Sequence, residues 1–202
     1  VTLQNRVLPT GEIVAHPARG LLTGNRGILH HGRTLGTRRW AHPHWISCAL
    51  DWKGVRRVPM SPGTWTELFF LDEAVALAAG HRPCALCRRG AFRQFTAAWT
   101  KAIGPATAPE IDRLLHAARV TRDRRQVRHA APAEGLPDGA FCLLGGVPHL
   151  LGRRGALRYD PSGYDQAVPR PAGPVTVLTP APMVAVLAAG YRPLLHPTVE
   201  DG

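Results

Sequence analysis

Two short stretches constrain the fold of this chain more than anything else in it: "HPHWISC" at 42–48 and "GHRPCALCRR" at 80–89, with 35 residues between Cys48 and Cys84. A Cys-x-x-Cys pair lets two sulfurs converge on one ion, and zinc sites complete the tetrahedron with ligands from a second stiff segment. Cys84 and Cys87 supply one edge. Upstream, His44 and Cys48, with three residues between them, supply the other, and His42, His30 and His31 stand in reserve. The spacing predicts a site of one histidine and three cysteines, His44, Cys48, Cys84 and Cys87, holding Zn2+. A redox pair is the competing reading, and it needs a strand leading into a Cys-x-x-Cys at a helix N-terminus. Here a helix stops just before the motif and "RPC" intervenes, so metal binding is favoured. Cys142, inside "AFCLL", reads as a core residue.

The charge balance points to the partner. Basic residues outnumber acidic ones 25 to 14, for a formal net charge of +11, and all but Lys53 and Lys101 are arginine. An excess of that size favours a polyanion, because each neutralised phosphate releases condensed counterions. Nucleic acid, DNA foremost, is the expected partner, ahead of an anionic membrane surface. Candidate contacts are Arg56 and Arg57 on the loop after Cys48, Arg88, Arg89 and Arg93 at the start of the following helix, and Arg122, Arg124, Arg125 and Arg128 in the most basic run of the chain. Trp40, Trp45, Trp52 and Trp65 fall among arginines, where aromatics either stack on unpaired bases or pack around a small metal site. The second use predicts that at most one or two are exposed.

Residues 1–65 are rich in Gly, Pro, His and Arg with no sustained helical period, and read as short strands and loops. "ELFF" then reads as a strand, Asp72 as a helix cap, and "EAVALAA" as a two-turn helix stopped at Gly80. A helix over 88–103 carries Phe92, Phe95 and Trp99 on one face. Another begins at Thr107, where Glu110 completes a capping box, with Ile111, Leu114, Leu115 and Ala118 as its buried stripe. Beyond "APAEGLPDG" come short strands, a Gly145-Gly146 hairpin and a last helix from Thr179 and Pro180 to Gly190. The fold class expected is α+β, a small zinc-knuckle core with short strands and three to four helices. Residues 1–130 are expected to form the zinc-binding, basic domain and 131–202 a strand-rich C-terminal subdomain, either separate or packed on the first. "LAAGHRP" at 77–83 recurs as "LAAGYRP" at 187–193, which shared helix-stop grammar explains better than duplication. With no signal pattern at either end and no run near 18 apolar residues, a soluble, cytoplasmic protein is expected.

The segment "ELFFLDEAVALAAGHRPCALCRR" resembles the zinc-binding N-terminal domain of the Ada family, the bacterial methyl-phosphotriester DNA repair proteins. The likeness spans about 45 residues, 44–89, and is specific around 68–88. It implies a thiolate zinc site and a basic surface for the DNA backbone, hence DNA repair or regulation. His44 falls where the family has its methyl-accepting cysteine, and imidazole cannot replace a thiolate as acceptor. The resemblance therefore implies a structural zinc rather than direct phosphotriester repair.

A second function class remains in view. "TGNRGILHH" gathers Asn25, Arg26, His30 and His31 downstream of Glu12, and a glycine-flanked Asn-Arg suits close approach to a phosphate. Glu12, Asn25, His30 and His31 are the candidate catalytic groups for a nuclease or glycosylase, although no carboxylate cluster accompanies them.

Overall fold

The computed structural model describes residues 2–55 and 58–201; Arg56 and Arg57, two of the candidate phosphate contacts, lie outside the described residues. In chain order the elements are β1 (Gln4–Val7), β2 (Ile13–Ala15), β3 (Leu22–Asn25), β4 (His30–His31), β5 (Thr34–Leu35), β6 (Ile46–Ala49), β7 (Leu68–Phe70), α1 (Glu73–Ala78), β8 (Arg82–Pro83), α2 (Arg89–Ala102) and α3 (Ala108–Arg119). The second half adds β9 (His129–Pro132), β10 (Phe141–Leu144), β11 (Val147–Gly152), β12 (Gly155–Asp160), β13 (Gly163–Val168), β14 (Pro174–Val177), α4 (Ala181–Ala188) and α5 (Thr198–Asp201).

These strands assemble into two six-stranded sheets, ordered β2-β1-β7-β3-β6-β8 and β13-β12-β11-β10-β14-β9, with β4 and β5 as a separate ribbon. The expected α+β knuckle core is thereby corrected: among the described residues the protein is mostly β, with 14 strands and 23% helix. The reason is physical. Strands of two to four residues carry almost no periodic signal of their own, and several of those here are paired by partners far along the chain, such as Arg6 with Phe69. The knuckle is not the core but sits at a sheet edge, on β8.

The helices follow the sequence closely. Asp72 caps α1, its Oδ1 accepting from the Val75 N–H at 2.9 Å. Gly80, at φ +83°, stops it in a left-handed turn, with Gly80 N–H on the Leu77 carbonyl and His81 N–H on that of Ala76. The same bonds close α4, from Gly190 to Leu187 and from Tyr191 to Val186, so the repeated "LAAG" is a repeated helix stop. Thr107 and Glu110 form the capping box of α3. Its stripe differs from expectation: Ile111 and Leu115 are buried and Leu114 is 49% exposed, while polar Asp112 and Arg119 take the remaining inward positions.

Two hydrophobic clusters hold the molecule. One joins β1, β3, β7 and α1 to Phe141, Leu150, Leu157, Tyr159 and Tyr164 of the second sheet, and so crosses the expected boundary at residue 130. The other packs α2, α3 and α4, through Phe95, Trp99, Ile111, Leu115, Met183 and Val186, on β10, β11 and β14. Cys142 lies fully buried in it. Burying a large apolar side chain contributes roughly 1.5–3 kcal/mol, so each cluster is a major source of stability. No helix among the described residues is long and apolar enough to cross a membrane.

Candidate functional site

The site begins with two strands lying side by side. β6 and β8 run parallel, Ile46 opposite Arg82 and Ser47 opposite Pro83. The Arg82 N–H bonds the Trp45 carbonyl and the Cys84 N–H bonds that of Ser47. Continued one residue each way, this register sets Cys48 beside Cys84 at one end and Trp45 beside His81 at the other, with the last two rings 5.2 Å apart. One short ladder thus carries two constellations.

At the first end the sulfurs of Cys48, Cys84 and Cys87 all lie within 4.8 Å of one another. Three thiolates on one zinc, at Zn–S of about 2.3 Å, stand about 3.8 Å apart in a tetrahedron, so these side chains are close enough to hold a metal ion. The turn is built for thiolates. Cys84 Sγ accepts from the N–H groups of Leu86 and Cys87, and Cys87 Sγ accepts from that of Ala49. A hydrogen bond from the Cys48 thiol, reinforced by those N–H groups, pulls the Cys84 thiol down to about 5. Donating that proton, together with burial, pushes Cys48 up, and burial pushes Cys87 up. A metal ion would displace the remaining protons.

His44 is not in this group. β6 begins only at Ile46, and the Trp45 N–H bonds the Pro43 carbonyl, so His44 sits in a tight turn ahead of the strand rather than beside Cys48. Its Nδ1 instead meets Asp112 Oδ2 at 2.9 Å, and that buried carboxylate also takes two bonds from Arg82, at 2.7 and 2.8 Å. Among the described residues no fourth Cys, His, Asp or Glu joins the three sulfurs. Of the reserve ligands, His42 stacks near His44, His30 bonds Thr66 and Ser61, and His31 is exposed.

At the other end of the ladder a cavity of about 470 Å³ opens, lined by Arg26, Arg39, Arg119, Arg124, Arg125 and Arg128. Trp40, Trp45 and Gln126 share the lining, and Glu12 is its one carboxylate among the described residues. Arg26 and Arg119 both stand over the Trp45 ring, 3.9 and 4.0 Å from its centroid. Three of the arginines read from the sequence, Arg124, Arg125 and Arg128, therefore converge here, while Arg122 is exposed outside the lining and Arg89 and Arg93 are exposed on α2. Arg88 is engaged elsewhere, since its side chain is 10% exposed and its guanidinium grips Glu73.

The candidate catalytic set does not assemble. Glu12 faces the cavity, bonded by Thr10, but the Asn25 side chain accepts from Gly27 N–H and His30 is held by Thr66 and Ser61. Missing from the sequence reading were the roles of Arg26, Arg119, His81 and Asp112. Charged residues at apolar-looking helix positions, as Asp112 and Arg119 are in α3, were the available signal.

Of the four tryptophans set among arginines, Trp45 is 2% exposed and Trp52 36%, so their exposure stays within the expected one or two, but Trp40 and Trp45 pack at the arginine cavity rather than around the sulfurs. Compared with models of protein families, with curated proteins and with solved structures, the chain matches none.

Proposed function

We propose that this is a zinc-binding protein that holds nucleic acid, DNA foremost, mainly through phosphate contacts, in a repair or regulatory role. The observation that carries the reading is the convergence of six arginines on one cavity with a single carboxylate among the described residues that line it, in a chain of net charge +11. Phosphate backbones are bound by such arrays, with affinity that falls steeply with salt. Zinc is the ion that best suits three thiolates converging from a Cys-x-x-Cys turn and a strand. Its part is structural: by joining Cys48 to Cys84 it would clamp the two-residue β6–β8 ladder, and that same ladder sets Trp45, which lines the cavity, against the buried His81 ring.

The decisive experiment couples metal to binding. Native mass spectrometry of the purified protein should show one zinc per chain, lost in Cys84→Ser. Fluorescence anisotropy with a labelled DNA should then show binding that weakens at least tenfold when zinc is chelated. A folded wild type without zinc, or DNA affinity indifferent to salt, would sink the reading.

A further inference from the structure

The floor of the arginine cavity differs from its rim. Rim arginines such as Arg124 and Arg125 are exposed, whereas Arg26 is 2% exposed and Arg119 1%. Neither floor guanidinium forms an ion pair with a carboxylate among the described residues. Arg26 Nε donates to His81 Nε2 at 3.1 Å, and Arg119 bonds the carbonyls of Gly80 and Pro43. That leaves Arg26 Nη2 and Arg119 Nε buried without a hydrogen-bond partner among the described residues. Burial, and then the charges of Arg119 and Arg39, oppose the charged form of Arg26. Arginine nevertheless keeps its proton in proteins, so the charge persists. Asp112 partly offsets the charge of Arg119, but Arg26 has only cationic neighbours, and a buried cation with unfilled donors at the base of an open cavity calls for an anion.

We propose that this cavity binds a phosphomonoester dianion, the terminal phosphate of a nucleic-acid strand, on Arg26 and Arg119, with the rim arginines holding the adjoining backbone. The charge count selects the monoester. A terminal phosphate carries about −1.5 to −2 near neutral pH with three strong acceptor oxygens, whereas an internal diester carries one charge. The space selects a strand over free phosphate: about 470 Å³ exceeds what one phosphate fills, four further arginines extend from the floor, and half-buried Trp40 in the lining offers an indole for a terminal base. Glu12, exposed and bonded to Thr10, lies in the lining but pairs with neither floor arginine. The strand as the source of the phosphate rests on the nucleic-acid reading above; the phosphomonoester site does not.

The experiment uses the zinc-loaded full chain and one short single-stranded DNA in three forms, with a 5′-phosphate, with a 3′-phosphate, and with hydroxyls at both ends. A mononucleotide and inorganic phosphate are titrated alongside, with tryptophan fluorescence and melting temperature as readouts. One phosphorylated strand should bind at least tenfold tighter than the hydroxyl form, and Arg26→Gln should abolish that gain. Should Arg26→Gln fail to fold, Arg39→Gln serves, since its side-chain bonds go to the carbonyls of Gly36 and Arg38; it should reduce the same gain at least threefold. Equal binding of all three strands overturns the cavity assignment while leaving the nucleic-acid reading intact. Binding of the mononucleotide, lost in Arg26→Gln, with no binding of any strand, overturns the strand end and the nucleic-acid reading together.

Discussion

Arg88 grips Glu73 with two hydrogen bonds, of 2.7 and 2.8 Å, and so fixes the chain one residue beyond Cys87 to the first turn of α1. A third bond, from Arg88 Nη1 to Ser47 Oγ at 3.1 Å, ties the same guanidinium to the strand that carries Cys48. The thiolate cluster is therefore held from outside by one planar fork.

Replacing that fork should loosen the metal before it unfolds the protein. Arg88→Lys keeps the charge but not the paired geometry, and zinc affinity, measured by competition with a chromophoric chelator, should fall about 10- to 100-fold. Arg88→Ala strands a buried carboxylate and should cost roughly 3–5 kcal/mol in urea denaturation.

Gly80 links helix stop and cavity. Its φ of +83° disfavours any side chain, and a β-carbon there would lie 2.4 Å from Arg119 Cδ and 2.9 Å from its Cβ. Gly80→Ala should destabilise by more than about 1 kcal/mol. It should also weaken DNA binding, because Arg119 must move; anisotropy at fixed salt reads the second effect separately from thermal melting.

Asp72 makes stability depend on pH in an unusual direction. Burial outweighs the hydrogen bonds from Val75 N–H, Tyr164 OH and His196 N–H, and raises its carboxyl from 3.8 to about 6. A group whose folded value lies above its unfolded one contributes stability that is complete below the unfolded value and disappears as pH rises through the folded value. This group's contribution should therefore fall between about pH 4 and pH 6, by at most about 1.4 kcal/mol per pH interval of one. Denaturation of wild type and Asp72→Asn across that range checks it: the wild type's advantage should shrink as pH rises.

The exposed arginines of the loop after α3 should behave as phosphate contacts. Arg124→Ala or Arg128→Ala should each lower the slope of log affinity against log salt by about 0.9. Arg153→Ala, exposed and outside the cavity lining, should leave the slope unchanged.

Local grammar was readable in the sequence and long-range pairing was not. Asp72, Gly80, Thr107 with Glu110, and the Gly145-Gly146 turn each act through neighbours within a few residues, and each stands where its chemistry predicts. Cys48, Cys84 and Cys87 were readable as one group because thiolates in such spacing have few other uses. His44 misled because a three-residue gap chelates only if the chain brings the pair together, and nothing local reveals that His44 sits in a turn of its own ahead of β6. The sheets stayed hidden for the same reason: β1 borders β7 across some sixty residues, and a four-residue strand does not announce its partner.

Asp72 and Glu73 have a consequence for how the chain is made. Tyr164 and His196 complete Asp72, while Tyr191 and Leu194 complete Glu73. All four leave the ribosome more than ninety residues after the carboxylates they satisfy. A nascent chain that has just delivered Cys84 and Cys87 already holds Arg88 for Glu73 and the Val75 N–H for Asp72, but the remaining partners of both acids are still to come. The fork that holds the cysteines can therefore close well before residues 164–196 complete the seat of α1.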